Sequence, residues 1–214
     1  MRYKLIVFDM DGTILDTLED LADSVNYALQ QCDLPTRSLE EVRFFVGNGI
    51  RKLIERAVPS GTTVEQTDQV HAIFTERYQA HCADKTRAYE GIPELLGELR
   101  SRGYQTAVVS NKADYAVQEL CEQYFQGLFD AAVGEREGVR RKPCPDAVFT
   151  VLEKLQTDKA DAVYVGDSDV DIETARNAGM DGIFVSWGFR GEAFLREHGA
   201  QVVADRPAEV LELV

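Results

Sequence analysis

The sequence holds little that would tie it to an oxidising compartment, a metal-thiolate site, a membrane or a nucleic acid. Its four cysteines, Cys32, Cys82, Cys121 and Cys144, are scattered and form no C-x-x-C pair, so reduced thiols are the plain expectation. The three histidines, His71, His81 and His198, have no ligand spacing with those cysteines, which argues against zinc. No apolar run approaches the roughly 20 residues that cross a bilayer. The opening M-R-Y-K leads straight into a strand-like run rather than a signal peptide. Positive charge is also scarce: 23 Lys and Arg stand against 37 Asp and Glu, a net charge of -14. Such a surface repels nucleic-acid backbones and anionic membranes, so neither is expected as a partner. Any anionic substrate must then be drawn in by a metal ion or a few placed basic residues. The expectation is a cytoplasmic protein, monomer or homodimer.

What is present fits a folded chain. Hydrophobic residues make up 44% and charged residues 28% of 214 positions, enough for one full domain and a small inserted one. Short continuous apolar runs at Tyr3–Phe8, Thr106–Val109, Ala162–Val165, Gly182–Val185 and Val202–Ala204 read as strands buried on both faces, the habit of a parallel sheet. Between them, Pro93–Arg102, Tyr115–Glu122, Asp146–Leu155 and Asp169–Ala178 carry helical patterns, two of them closed by Gly103 and Gly179. The alternation predicts an α/β fold, a doubly wound parallel sheet of Rossmann-like type.

One stretch breaks the rhythm. From Leu18 to Lys85 the patterns are all helical: an apolar face at Leu18, Leu21, Val25, Ala28 and Leu29, a capping-box signature at Ser38 and Glu41, and a long helix over Val64–His81. Its length exceeds ordinary crossovers, so it reads as an inserted helical cap rather than a helical excursion within one core. The expected division is 1–17 and 86–214 for the α/β core and 18–85 for the cap.

Four short segments carry chemistry. The first strand ends in DMDGTILDT, with Asp9 and Asp11 two residues apart, roughly 6–7 Å on an extended chain and facing the same way. Gly12 lets the backbone turn, and Thr13 adds a hydroxyl and an amide there. Two carboxylates beyond a strand's carboxyl end can hold a hard cation, and one can attack phosphorus. In GDSDVD, Asp167, Asp169 and Asp171 crowd a loop opening a helix near Val170. One acidic residue suffices to cap a helix; three together repel one another unless a cation intervenes. Ser110-Asn111-Lys112 follows a strand, where a hydroxyl and free amides can hold phosphate oxygens or simply form a turn. Lys142 sits on a proline-bracketed loop before Asp146 and can neutralise a nucleophile or a transferring phosphoryl group; standing alone it would read as a solvated lysine.

In this order, the four segments resemble the haloacid dehalogenase superfamily over nearly the whole chain. The first motif matches at Asp9, Asp11, Gly12 and Thr13, the second at Ser110, the third at Lys142, the fourth at Gly166-Asp167 with Asp171. The resemblance implies Asp9 as nucleophile and metal ligand and Asp11 as acid/base, with its backbone carbonyl on the ion. It further implies phosphate binding by Thr13, Ser110, Asn111 and Lys142, Mg²⁺ ligation by Asp167, and support from Asp171. An Asp at the second carboxylate position is the pattern of the family's phosphatases. Within the superfamily, FFVGNGIRKLIERA (Phe44–Ala57) and VSWGFRG (Val185–Gly191) look like bacterial phosphoglycolate phosphatases. There Asn48 and Arg51, at a helix start, could meet a second small anion or be an ordinary turn with solvated charge. Trp187 and Phe189 read as packing residues. The substrate implied is a small phosphorylated metabolite, 2-phosphoglycolate. Pyrophosphatase, nucleotide or sugar phosphatase and phosphomutase activities would use the same core, and a catalytically silent binding module is the alternative outside enzymes.

Overall fold

The computed structural model describes residues 2–214. The chain begins with β1 (Leu5–Phe8) and β2 (Leu15–Asp16), then four helices, α1 (Leu18–Gln31), α2 (Leu39–Phe45), α3 (Ile50–Ala57) and α4 (Val64–His81). It returns through β3 (Arg87–Ala88), α5 (Ile92–Ser101), β4 (Gln105–Ala113), α6 (Asp114–Phe125), β5 (Ala131–Glu135) and α7 (Asp146–Lys154). The last part is β6 (Ala162–Gly166), α8 (Asp169–Ala178), β7 (Asp181–Val185), α9 (Gly191–Glu197), β8 (Val203–Ala204) and α10 (Pro207–Leu213).

Six strands form one sheet in the order β5-β4-β1-β6-β7-β8, and every pairing is parallel. β1 can sit at the centre because LIVF is apolar at every position, so both faces accept cover; all four residues are buried. On one face Leu5, Val7, Val109, Val133 and Tyr164 join Val148 and Val151 of α7 and Ile172 and Ala175 of α8 in a single cluster. Elsewhere in the core, Phe8 meets Phe129 edge-on at 6.3 Å, and Phe129 meets Phe125 at 5.6 Å.

The order of strands decides where a ligand can go. After β1 the chain builds β4 and β5 on one side, then β6, β7 and β8 on the other. The connections therefore part on either side of β1, and such a switch point opens a crevice beyond the strands' carboxyl ends. The five apolar runs all lie in this sheet, as their continuity predicts. β5 escapes that pattern because AAVGE carries too few large apolar residues, and the short β2 and β3 pair only with each other. The helices α9 and α10 likewise carry too short a periodic pattern to be read. The helical pattern over Asp169–Ala178 is α8 at those bounds.

The chain separates into two compact units, one comprising the chain up to Asp16 with Ala88–Val214, the other Thr17–Arg87. The second unit is helical. Its α1 and α4 pack against each other, Phe74 and Tyr78 of α4 stack on one another at 5.3 Å, and Ser38 and Glu41 close a capping box at the start of α2. Its two ends are tied together by Asp20, a buried carboxylate that accepts from the N–H of Lys85 at 3.0 Å and of Thr86 at 2.8 Å. Among the described residues, no helix is long and apolar enough to cross a membrane.

Candidate active site

Three strand ends converge at the switch point, and each delivers one of the polar segments read from the sequence. Asp9 follows β1 directly, and its N–H donates to the Val165 carbonyl at 2.8 Å, which locks it beside β6. The chain then folds over on itself: the N–H groups of Thr13, Ile14 and Leu15 all point at the Met10 carbonyl, at 3.0–3.1 Å. This tight winding needs Gly12 at φ 84°, and a Cβ there would stand 2.3 Å from Asp167 Oδ2. Conformation and space both require glycine at that position.

β4 supplies the second segment through an irregularity. Its register against β5 shifts between Val109 and Ala113, so Ser110, Asn111 and Lys112 leave the regular ladder at the strand's carboxyl end. A break of this kind re-aims side chains that the pleat would otherwise alternate. Lys112 is buried and its Nζ donates to Asp11 Oδ1 at 2.8 Å. Asn111 spends its side chain on the Lys142 backbone, accepting from Lys142 N–H at 2.8 Å and donating to Lys142 O at 3.1 Å. It thereby fixes the loop that carries Lys142, and any phosphate contact it makes would come from its main chain.

Lys142 is the electrostatic centre of the arrangement. It is buried, its Nζ lies 2.8 Å from Asp171 Oδ1, and it stands 2.9 Å from Asp9 Oδ1 in an ion pair that lacks hydrogen-bond angles. Burial alone would strip its proton, but Asp171 and Asp9 overcome that and hold its pKa well above the ordinary lysine value. Tyr164, in the middle of β6, accepts from Lys142 Nζ at 3.1 Å and places its hydroxyl 3.2 Å from Asp171 Oδ1.

The third strand end brings carboxylates. Oxygens of Asp9, Asp167 and Asp171 lie within 4.8 Å of one another, and all three residues are buried. Asp171 is fully engaged: Oδ1 meets Lys142, while Oδ2 accepts from Ser168 Oγ at 2.6 Å and from the N–H groups of Asp167 and Ser168. Asp167 Oδ2 accepts from Phe189 N–H at 2.7 Å. Desolvation raises the Asp9 carboxyl to about 6; Lys142 pulls it down, and Asp171 and Asp11 push it up. Burial first, then Asp171 and Asp9, raise Asp167 well above the usual carboxylate range. Crowded carboxylates in this state favour protons or a cation. The donor set fits a hard divalent ion: it is all oxygen, and three clustered carboxylates carry more negative charge than Lys142 offsets. Thr13 Oγ1 is buried and without a hydrogen-bond partner.

Asp9, Asp11, Thr13, Ser110, Asn111, Lys142, Asp167 and Asp171 thus gather at one end of the sheet. Asn48 and Arg51 belong to the helical unit. There Asn48 accepts from Arg56 at 2.8 Å, and Arg51 pairs with Glu55 and Asp68. Sequence reasoning gave three participants no part in the site. Lys112 stands in the Ser110-Asn111-Lys112 segment, but only the hydroxyl and amides of that segment were assigned chemistry. Tyr164 is the one large polar ring in an otherwise small, apolar strand. Trp187, read as a packing residue, donates its indole N–H to the Thr13 carbonyl at 3.0 Å.

Comparison with known proteins supplies the family. The profile of the haloacid dehalogenase-like hydrolase family matches residues 6–185. A phosphoglycolate phosphatase of Vibrio parahaemolyticus is 34% identical, with 99% of this chain and 96% of that protein covered. An N-acetylmuramic acid 6-phosphate phosphatase of Pseudomonas aeruginosa is 30% identical, at 100% and 96% coverage. A crystal structure of a protein from Lactobacillus delbrueckii subsp. bulgaricus superposes with a TM-score of 0.95 at 39% identity, covering 100% of this chain and 98% of that one.

Proposed function

The chain belongs to the haloacid dehalogenase-like hydrolases, and from that premise we propose that it is a Mg²⁺-dependent phosphatase acting on a small phosphate monoester, 2-phosphoglycolate, through an aspartyl-phosphate on Asp9. The observation that carries this reading is the position of Lys142, within 2.9 Å of Asp9 and 2.8 Å of Asp171 at the crevice beside β1. A buried carboxylate held next to a fixed cation, at the mouth of a switch-point sheet, is a nucleophile already shielded from water and partnered by positive charge.

Asp9, Asp167 and the Asp11 carbonyl would hold Mg²⁺, which supplies the positive charge that lets a phosphate dianion approach a carboxylate. An Asp9 carboxylate oxygen attacks phosphorus in line, and the bond to the leaving oxygen breaks as Asp11 gives that oxygen its proton. Asp11 then removes a proton from a water molecule, whose oxygen attacks the phosphoryl group and frees Asp9. Lys142, Ser110 and the amide and hydroxyl of Thr13 hold the phosphoryl oxygens through both steps. Asp171 has no oxygen to spare, so its part is to anchor Lys142 and the turn at Ser168. The helical unit Thr17–Arg87 would act as a cap that excludes water and meets the rest of the substrate. Contact from Asn48 or Arg51 would require exchange of their present partners, Arg56 for the first and Glu55 and Asp68 for the second.

A second reading has support from the Pseudomonas aeruginosa relative, whose name specifies a sugar phosphate. The core chemistry would be unchanged, and only the groups meeting the organic part of the substrate would differ. Phosphate release should be measured with 2-phosphoglycolate, sugar phosphates, nucleotides and pyrophosphate, with and without Mg²⁺. The expected result is Mg²⁺-dependent release, fastest with 2-phosphoglycolate and lowered at least about 10³-fold in Asp9→Asn, since that amide cannot act as the nucleophile. A sugar phosphate turning over fastest would move the assignment to the second reading. Undiminished turnover in Asp9→Asn would remove Asp9 from the mechanism.

A further inference from the structure

The loop that follows β7 touches the site at three points through Trp187, Gly188 and Phe189, none of which carries a charged or nucleophilic side chain. Its start is fixed to the far edge of the sheet: Ser186 N–H donates to Ala204 O at 3.0 Å and Ser186 Oγ to Asp205 at 2.6 Å. From there Trp187 reaches back across the fold to donate to the Thr13 carbonyl at 3.0 Å. Two residues on, Phe189 N–H donates to Asp167 Oδ2 at 2.7 Å. Between them Gly188 lies so close that a Cβ would stand 2.3 Å from both Asp167 Cβ and the Gly12 carbonyl oxygen.

We propose that Trp187 and Gly188 are positioning residues which set the chain's affinity for a divalent cation, by clamping the Asp167 carboxylate against the Gly12-Thr13 turn. This rests on the reading of Asp167 as a cation ligand. The physical argument is one of orientation. A backbone N–H on one carboxylate oxygen restricts rotation of the group, so Asp167 presents its other oxygen, Oδ1, in a set direction. That backbone N–H is where it is because the loop is pinned on both flanks, by Ser186 to β8 and by the Trp187 indole to the turn after Asp9 and Asp11. The two ligand-bearing segments, from β1 and β6, are therefore held at a fixed spacing by a third segment that ligates nothing. Groups that orient metal ligands in this way typically contribute a factor of about 10–100 in metal affinity.

The test uses the whole chain and Mg²⁺ alone. Trp187→Phe keeps an apolar ring and loses the donor. Isothermal titration calorimetry should find Mg²⁺ bound about 10-fold more weakly than by the wild type, with the melting temperature in EDTA unchanged. Because Trp187 is the single tryptophan, wild-type fluorescence should also respond to Mg²⁺ with the calorimetric midpoint. Gly188→Ala, which crowds Asp167 from the same loop, is the second probe and should weaken binding further. Wild-type Mg²⁺ affinity in either variant, shown by its melt to be folded, would overturn the proposal while leaving the phosphatase reading in place. A wild type that takes up no Mg²⁺ would overturn the cation-dependent reading itself, and this inference with it.

Discussion

Asp9 occupies an uncomfortable position for a charged group, and its surroundings determine how it titrates. Desolvation lifts its carboxyl to about 6, from about 4 in an unfolded chain. For a raised carboxyl, the protonated form is the one the fold favours. Its contribution to stability is therefore complete below about pH 4 and is lost as pH rises through about 6. Asp167 moves in the same direction for the same reason. A divalent cation acts oppositely, since it binds the ionised forms and competes with protons. Added Mg²⁺ should then raise the melting temperature more at about pH 8 than at about pH 5, measured by thermal melts with and without the ion. Equal shifts at both pH values would mean that these carboxylates do not receive it.

At the scale of single elements, α8 matters most to the site, because it carries Asp171 and begins two residues after Asp167. Its far end is closed by Gly179 at φ 68°, where the Met180 N–H returns to the Ala175 carbonyl at 3.0 Å. An L-residue held in that left-handed conformation costs about 1–2 kcal/mol. Gly179→Ala should lower unfolding free energy by that amount in urea titrations, and full retention of stability would show that the helix end can relax.

This helix also marks what could be read without coordinates. Asp169–Ala178 and its closing glycine were legible because caps and 3.6-residue periodicity are local properties of the chain. The two acidic segments, after β1 and before α8, were legible as segments for the same reason. Their spacing did not show that Asp169, partly exposed in the first turn of α8 near Arg190, stays out of the cluster formed by Asp9, Asp167 and Asp171. Partners drawn from different strands were not legible. Lys112 with Asp11, Tyr164 with Lys142, and Trp187 with Thr13 are separated by many residues, and nothing within any one segment announces its counterpart. Asn111 shows the same limit from the other side: its place suggested a phosphate contact, whereas its side chain serves the backbone of Lys142.

For the molecule as a whole, the net charge of -14 sets the terms on which an anionic substrate arrives. The lysines at the site are buried and already paired with carboxylates, so they project little field into solvent. Long-range repulsion should therefore govern the approach. Raising ionic strength from about 0.01 to about 0.1 M shortens the screening length from roughly 30 to 10 Å, and kcat/KM for a phosphorylated acid should rise. A fall would reveal an attractive channel leading to the crevice.

The central place of β1 has a bearing on how the protein is made. Leu5 pairs with Gln105 on one side and with Ala162 on the other, so Asp9 follows a segment synthesised long before either of its neighbours. Asp9 leaves the ribosome well ahead of Lys142, which gives it a counter-charge, and of Asp167, which completes the carboxylate cluster. Through most of translation it is an ordinary aspartate, and the buried carboxylate cluster comes into being only when the later strands dock against the first.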